Sequence, residues 1–388
     1  AYLRGRTATG LSPAARYIVY ACYLGACLAN ENGVTLIGLL VAVELTLSPA
    51  PGDLRAQFAS LRDTWVVLLS IAAAVLLART EVVGSLAGDS PHLVIAHADF
   101  PERILTMLPV ALEWLRLLLW PLRLQIDYGP REIMPAHGFG PAQGLGLALL
   151  ALLVGGVVWA WRRRPVLAVG LVWAGIGLFP VSNLLLKSGV LVAERTLFLP
   201  SIGVMLGLAA AAAAIGDWGP GARRAAVIVG LVGTGLGLAR TTLRQPDWNN
   251  NSVLYRRMTI DAPEDYRGHA LLASDLFWHG RRAEAMQQMF VALALYPEDP
   301  ANWSDTADFY RAMGQCDWAM PLYHRAIAID RKQANVRARM ASCLMRLGQF
   351  NAARQELQAL IAEGFGQFQF LLPAVDSAAR AVNSVPRP

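Results

Sequence analysis

Seven apolar stretches, at residues 14–29, 33–48, 64–78, 144–161, 165–180, 197–215 and 225–239, decide most of what this chain can fold into. They predict helices that cross a lipid bilayer, where every backbone polar group must be satisfied inside its own segment. Several hold only about 15 to 16 residues, or roughly 24 Å of helix against a hydrocarbon core of about 30 Å, so they extend into flanking polar residues or sit inside a bundle. Composition agrees: 55% hydrophobic and 16% charged residues over a length of 388 exclude a wholly water-soluble globular protein.

Charge is divided unevenly along the chain. Eighteen basic and thirteen acidic residues lie up to Arg240, against sixteen and fifteen from Arg244 onward. The expected organisation is therefore all-α, with a polytopic transmembrane domain at 1–242 and an extracytoplasmic soluble domain at 243–388. The net charge of +6 sits mostly among apolar segments, where it reports topology and not a nucleic-acid footprint. Arg4, Arg6 and Arg16 precede the first stretch, Arg55 and Arg62 follow the second, Arg162 to Arg164 follow the fourth, and Arg223 and Arg224 follow the sixth. All four clusters fall on the cytoplasmic side together, provided that residues 104–121 do not cross. That segment carries Pro109, Glu113 and Arg116, which suits an interfacial or re-entrant helix. Three loops then face outward, at 80–103, 122–141 and 181–196. They hold His92, His97, Asp99, Glu102, Asp127, His137, Lys187, Glu194 and Arg195, an inventory that predicts a polar site over the outer end of the bundle. The plain alternative for each is a solvated loop residue.

Beyond the apolar region a repeat of period 34 appears. Gly280, Gly314 and Gly348 each open one pattern: Ala285, Ala319 and Ala353 five residues on, Met289, Tyr323 and Leu357 nine on, Ala292, Ala326 and Leu360 twelve on. This is the tetratricopeptide signature, in which glycine permits the turn between two helices and alanine lets them approach. Repeats are expected at about 268–299, 302–333 and 336–364, with a degenerate half-repeat at 248–263. Such a solenoid offers a concave face for a protein or peptide segment, the alternative being that it only packs on the membrane domain. Cys316 and Cys343 stand 27 residues apart, and the sequence leaves open whether they pair.

No nucleotide loop, nucleophile elbow or metal-ligand spacing appears, so the candidate chemistry lies with charges at membrane depth. Glu31 stands in Asn30-Glu31-Asn32-Gly33 between two short apolar arms, which puts its carboxylate near the outer interface. Glu194 and Arg195 immediately precede an apolar stretch on the same side, and adjacent residues of a helix do not face one another, so the two meet different partners. Arg195 has the forked geometry for a phosphate oxygen pair. Glu194 would orient that arginine's ligand or pair with another arginine, and a structural ion pair is the competing reading.

Val192 to Ser201, VAERTLFLPS, resembles the signature of the transmembrane-and-tetratricopeptide O-mannosyltransferases and their bacterial relatives. Asn30 to Thr35 is similar to the family's Lys-Glu-x-Gly-x-Thr element, with Asn30 in place of the lysine, and Pro121 to Gly129, PLRLQIDYG, is similar to a third family stretch. The resemblance implies a partial GT-C-like bundle followed by a tetratricopeptide solenoid, in an inverting membrane glycosyltransferase. Its donor would be a polyprenyl-phosphate sugar, its sugar mannose, and its acceptor a protein or glycan held by the repeats. The implied location is a bacterial inner membrane with the repeats in the periplasm.

On this reading Arg195 contacts the donor phosphate, Glu31, Asp127 and Glu194 order the pocket with Lys187, and His92 and His97 are auxiliaries. No cofactor is called for, and a divalent metal stays open. The family's acidic catalytic pair belongs to an outer loop that would precede Ala1, so this chain is expected to be the second half of an enzyme and inactive alone. The competing reading is a non-catalytic, membrane-anchored repeat scaffold for envelope proteins. A transporter fits less well, because the ionisable residues gather at one face and trace no path across the midplane.

Overall fold

The computed structural model describes residues 1–7, 9–48, 54–84, 92–96, 98–185 and 187–383. His97 lies outside the described residues, and the side chain of Glu31 is not described. Apart from one antiparallel hairpin, Arg6–Thr7 with Gly10–Leu11, regular structure among them is helical. Backbone contacts divide the chain into Ala1–Arg244 and Gln245–Pro388.

Each of the seven apolar stretches is a helix: Pro13–Ala29, Leu36–Leu47, Arg62–Val83, Pro141–Arg163, Pro165–Leu178, Phe198–Gly216 and Pro220–Arg244. Four of these open on proline, whose fixed φ suits the first helical position and whose missing N–H costs nothing there. Seven crossings were expected, but among the described residues four helical segments, Arg62–Val82, Pro141–Arg163, Glu194–Gly216 and Pro220–Trp248, are long and apolar enough to cross a membrane, by length and composition. Asn32–Leu47 and Pro165–Val181 are apolar but shorter. Large apolar side chains such as Leu152, Val158, Val229 and Leu238 are exposed along the long helices, a surface that suits lipid and not water.

Between these helices, small residues replace the hydrophobic driving force that lipid does not supply. A Cβ at Gly170 would lie 2.6 Å from the Gly203 carbonyl oxygen, and one at Gly203 would lie 2.6 Å from the Ala174 nitrogen. The two backbones therefore touch, and neither glycine has space for a side chain. Gly235, on the Pro220–Arg244 helix, faces open space instead.

One buried ion pair organises the other end of this unit. Glu44, 1% exposed in the apolar Leu36–Leu47 helix, accepts from Arg6 Nε at 2.9 Å and from the Tyr2 hydroxyl at 2.7 Å. Gln57 Nε2 donates to the Glu44 carbonyl at 2.8 Å. A carboxylate in this position is tolerated only because three partners satisfy it. The pair ties the start of the chain to the exit of the second apolar helix, so these two ends share one side.

The Gln245–Pro388 unit is a ladder of helix pairs. First helices begin at Tyr266, Pro300 and Ala334, second helices at Arg282, Cys316 and Phe350, each spaced by the sequence period. The first helices thus start two residues before the expected bounds of 268, 302 and 336. Gly280, Gly314 and Gly348 adopt φ of +83°, +81° and +76°, left-handed turns that favour glycine. Behind each turn the patterned triplet Ala285, Met289 and Ala292, with its counterparts in the next two repeats, is fully buried. Asn251–Asp261 supplies the second helix of the degenerate half-repeat, and Leu372–Asn383 closes the last pair by burying Val375. Cys316 and Cys343 form a disulfide across neighbouring repeats, with Cα atoms 5.3 Å apart.

Asp305 sits on the Pro300–Ala312 helix beside Asp308. Burial first, then the charges of Asp308 and Asp299, push its carboxyl up to about 6 from the usual 3.8, against the pull of Arg339. Its protonated form is thus favoured by folding, a contribution present below pH 4 and lost as the pH rises through 6. Asp305→Asn is expected to stabilise the repeat unit by roughly 1–2 kcal/mol at pH 7.5 and to change nothing below pH 4, read as thermal midpoints at the two pH values. In the membrane unit, Gly203→Val is expected to cost about 1–3 kcal/mol or more through overpacking. Gly235→Val serves as the near-neutral control, and equal thermal midpoints in detergent would contradict the close helix contact.

Candidate functional site

The floor of the candidate site is the Phe100–Leu119 helix. Asp99 and Glu102 form a capping box at its start, the Asp99 side chain accepting from the Glu102 N–H at 2.8 Å. Thr106, Met107, Val110, Trp114 and Leu117 are buried along one face. Its other side meets the Pro141–Arg163 helix, where Gly146 abuts the Leu108 carbonyl and leaves no space for a Cβ. Charges at Glu102, Arg103, Glu113 and Arg116, with Pro109 within, set this helix apart from the four membrane-length segments.

Three loop segments are folded onto that floor. Val94, Ile95 and Ala98 from one loop, Tyr128 from the second, and Leu191, Val192 and Leu197 from the third share one apolar cluster with Val110 and Trp114. The three loops assigned to the outer face thus converge in space. Non-helical backbone there needs internal partners, and Asn183 provides them. At φ 56° and 0% exposure, it donates to the Val181 and Val190 carbonyls and accepts from the Ser188 N–H at 2.7 Å.

Lys187 and His92 are consumed in the same construction. Lys187 Nζ donates to the Ala96 carbonyl at 2.9 Å, and the His92 N–H donates to the Ser188 carbonyl at 3.0 Å. His92 is 3% exposed, and its Nδ1 accepts from the Val94 N–H at 3.3 Å. These two residues hold the 181–193 loop against the 92–96 segment.

Glu194 and Arg195 diverge, as adjacent residues should. Glu194 opens the short turn Glu194–Leu197 and accepts the Gln125 backbone N–H at 2.6 Å. The VAERTLFLPS and PLRLQIDYG motifs, 69 residues apart at that bond, are thereby joined. Arg195 is exposed and makes no hydrogen bond or ion pair among the described residues. Asp127 is half-buried in the same strip and engaged in an interaction of its own. Glu31 belongs to a separate turn, Glu31–Thr35, where the Asn30 side chain accepts from the Asn32 N–H at 2.9 Å. Gly33 is required there: a Cβ would lie 2.6 Å from the Cys27 nitrogen.

Beside the Gln125–Glu194 bond lies a cleft of about 940 Å³, walled by the Phe100–Leu119 helix and residues 120–134. Across it Glu113 and Arg116 form a bidentate pair, Arg116 Nε to Glu113 Oε2 being 2.9 Å, and Arg116 Nη1 donates to the Arg123 carbonyl at 3.0 Å. Burial, then Glu194 and Glu113, push the Tyr128 phenol well above its usual range, with Arg116 opposing. Sequence reasoning took Glu113 and Arg116 only as marks of an interfacial helix and passed over Tyr128. Their i, i+3 spacing on one helix was the available signal for the pair. Among the described residues, no group of three or more His, Cys, Asp or Glu is placed to hold a metal ion.

Comparison with known proteins agrees with both halves of the chain. Residues 310–370 match the tetratricopeptide repeat family. The chain is 27% identical over 210 residues to the mouse Protein O-mannosyl-transferase TMTC1, covering 51% of this chain and 22% of that protein. It is 26% identical over 227 residues to the Drosophila melanogaster Protein O-mannosyl-transferase Tmtc3, covering 48% and 24%. A third relative, human Protein O-mannosyl-transferase TMTC4, is 28% identical over 127 residues, covering 32% and 17%. The chain therefore spans less than a quarter of the length of these curated relatives. Together the matches support a transmembrane-and-tetratricopeptide type of family, and a membrane protein.

Because Glu194 restrains the backbone at Gln125, Glu194→Ala is expected to speed amide exchange across 121–128 by about tenfold, the loss of one charge-assisted hydrogen bond. Hydrogen-exchange mass spectrometry reads this directly, and unaltered exchange would mean that the bond contributes nothing to the loop.

Proposed function

We propose that this chain, which is of the transmembrane-and-tetratricopeptide type, is the donor-phosphate half of a GT-C-type membrane glycosyltransferase. It moves a hexosyl group, mannose by analogy with the named relatives, from a polyprenyl phosphate to a protein or glycan segment. The observation that carries this reading is the division of labour at Glu194 and Arg195. The acid clamps the 121–129 strip, while the base beside it stays exposed and uncommitted among the described residues.

In such a transfer an acceptor hydroxyl attacks the anomeric carbon as the bond from that carbon to the phosphate oxygen breaks. A carboxylate takes the acceptor's proton, and positive charge stabilises the departing lipid phosphate. Arg195 meets the second need, with a planar fork that fits two phosphate oxygens. Glu194 and Asp127 order the strip around it, and Glu31, which lies in a separate turn, would act on the donor from there. Lys187 and His92 act through the loop they hold, and His97 remains an auxiliary. The residue that takes the proton is not assigned within this chain.

Orientation follows from the same physics. Arg clusters at the short loops support a cytoplasmic side there and, if all seven apolar helices cross, repeats on the opposite side, which in a bacterial inner membrane would be the periplasm. The Cys316–Cys343 bond supports this, since structural disulfides persist in oxidising compartments. The concave face of the repeats is the surface that would hold the acceptor segment.

The test is transfer from radiolabelled polyprenyl-phosphate mannose in detergent, using this chain alone and joined to any further sequence that its gene encodes. Arg195→Ala is expected to lower transfer about 10²- to 10³-fold, as for removal of one oxyanion donor. Arg195→Lys should recover only part, since charge returns without the fork. Undiminished transfer by Arg195→Ala would remove the assignment, and no transfer from any donor by the joined protein would favour the scaffold.

A further inference from the structure

The cleft beneath residues 120–134 contains a buried donor that the protein itself does not use. Tyr128 is 4% exposed and lines the cleft, yet its hydroxyl makes no hydrogen bond among the described residues. Gln125 stands in the same wall, and its side-chain oxygen is likewise without a partner among them. An orphaned buried polar group costs about 1–3 kcal/mol, so a ligand that satisfies both recovers a cost already built into the fold.

Charge decides what kind of ligand that is. Three arginines and two glutamates line the cleft, and Glu194 stands directly behind Gln125, so the wall has no cationic surplus. A phosphate entering there would meet Glu113 and Glu194, and the Arg116 guanidinium is already spent on Glu113 and the Arg123 carbonyl. A neutral polyol meets no such penalty. Each of its hydroxyls can donate to a carboxylate while accepting from a phenol, amide or guanidinium. Trp120, 55% exposed at the cleft, offers an apolar platform for the C–H face of a ring. The volume of about 940 Å³ lies within the range of small-molecule sites.

We propose that this cleft is a hexosyl subsite, with Tyr128 and Gln125 as partners of ring hydroxyls, the Glu113–Arg116 pair as a fixed polar edge, and Trp120 as the stacking face. The identity of the arriving glycosyl group rests on the transferase reading, while sugar binding stands on the cleft alone. Sugar and phosphate thus go to different places: the ring to this balanced cleft, the anion to Arg195.

Saturation-transfer NMR on the detergent-solubilised chain tests this, with methyl α-mannoside and methyl α-glucoside as probes and inorganic phosphate and unglycosylated polyprenyl phosphate as parallel arms. Saturable glycoside contact is expected, about three- to tenfold weaker in Tyr128→Phe and lost in Trp120→Ala, with inorganic phosphate failing to compete. Tyr128→Phe removes a buried, unpartnered hydroxyl, so its thermal midpoint should equal or exceed the parent's and report an intact fold. Absent glycoside contact in the parent chain, equal contact in Tyr128→Phe, or displacement by inorganic phosphate would each overturn the subsite. Transfer is not read in this experiment, so loss of the Arg195 assignment leaves its outcome untouched, and the reverse holds as well.

Discussion

Irregular backbone at the edge of a membrane must satisfy its own hydrogen bonds, and the outer part of the Ala1–Arg244 unit is built around that requirement. Two polar side chains do most of it. Asn183 closes the 181–190 loop from inside, donating and accepting at full burial, in the left-handed conformation that asparagine tolerates better than most residues. Glu194 reaches across to the Gln125 N–H and so fixes a strip distant in sequence. Remove these two and the loops have no reason to share one apolar cluster with the Phe100–Leu119 helix. The candidate site is therefore a consequence of backbone accounting before it is a matter of chemistry.

The same requirement explains why the helices beneath can be short and loosely partnered. The Pro220–Arg244 helix buries no residue, which in water would forfeit most of its stability. In lipid its backbone bonds are internal and its apolar exterior costs nothing, so packing is needed only where position matters. Position matters at Gly170 and Gly203, where two backbones touch. It matters also at Glu44, where a buried ion pair fixes the register of segments that share an apolar cluster.

How much of this the sequence carried depended on the range of the interaction. The tetratricopeptide character of the second unit was legible, because its glycines, alanines and core residues repeat a local pattern that each helix pair satisfies with its neighbours. Helix positions in the apolar region were legible for a similar reason, since length and hydropathy are local quantities. The Arg6–Glu44 pair was not, for its members lie 38 residues apart and neither position is marked by its neighbours. Nor was the role of His92 or Lys187: both read as outward-facing polar candidates, and both turn their polar groups inward to neighbouring loop carbonyls or amides. Charge type and loop position predict that a residue is available, but the supply of unsatisfied backbone groups nearby determines whether it remains so.

That competition between backbone and ligand also orders the candidate residues. Glu194, the acid with the strongest motif, has an oxygen occupied by an amide and so acts first on the protein's own geometry. Arg195, next to it in sequence, escapes because consecutive residues of a turn point apart, and its guanidinium stays exposed. Arg116 lies at the opposite extreme, its N–H groups divided between Glu113 and a carbonyl. A guanidinium so committed can shape a pocket and present an edge, but it has little left to neutralise a phosphate. The two arginines thus divide by what the surrounding backbone and carboxylates have already taken from them, and the proposed assignment of charge recognition to one place and neutral-ring recognition to another rests on that division.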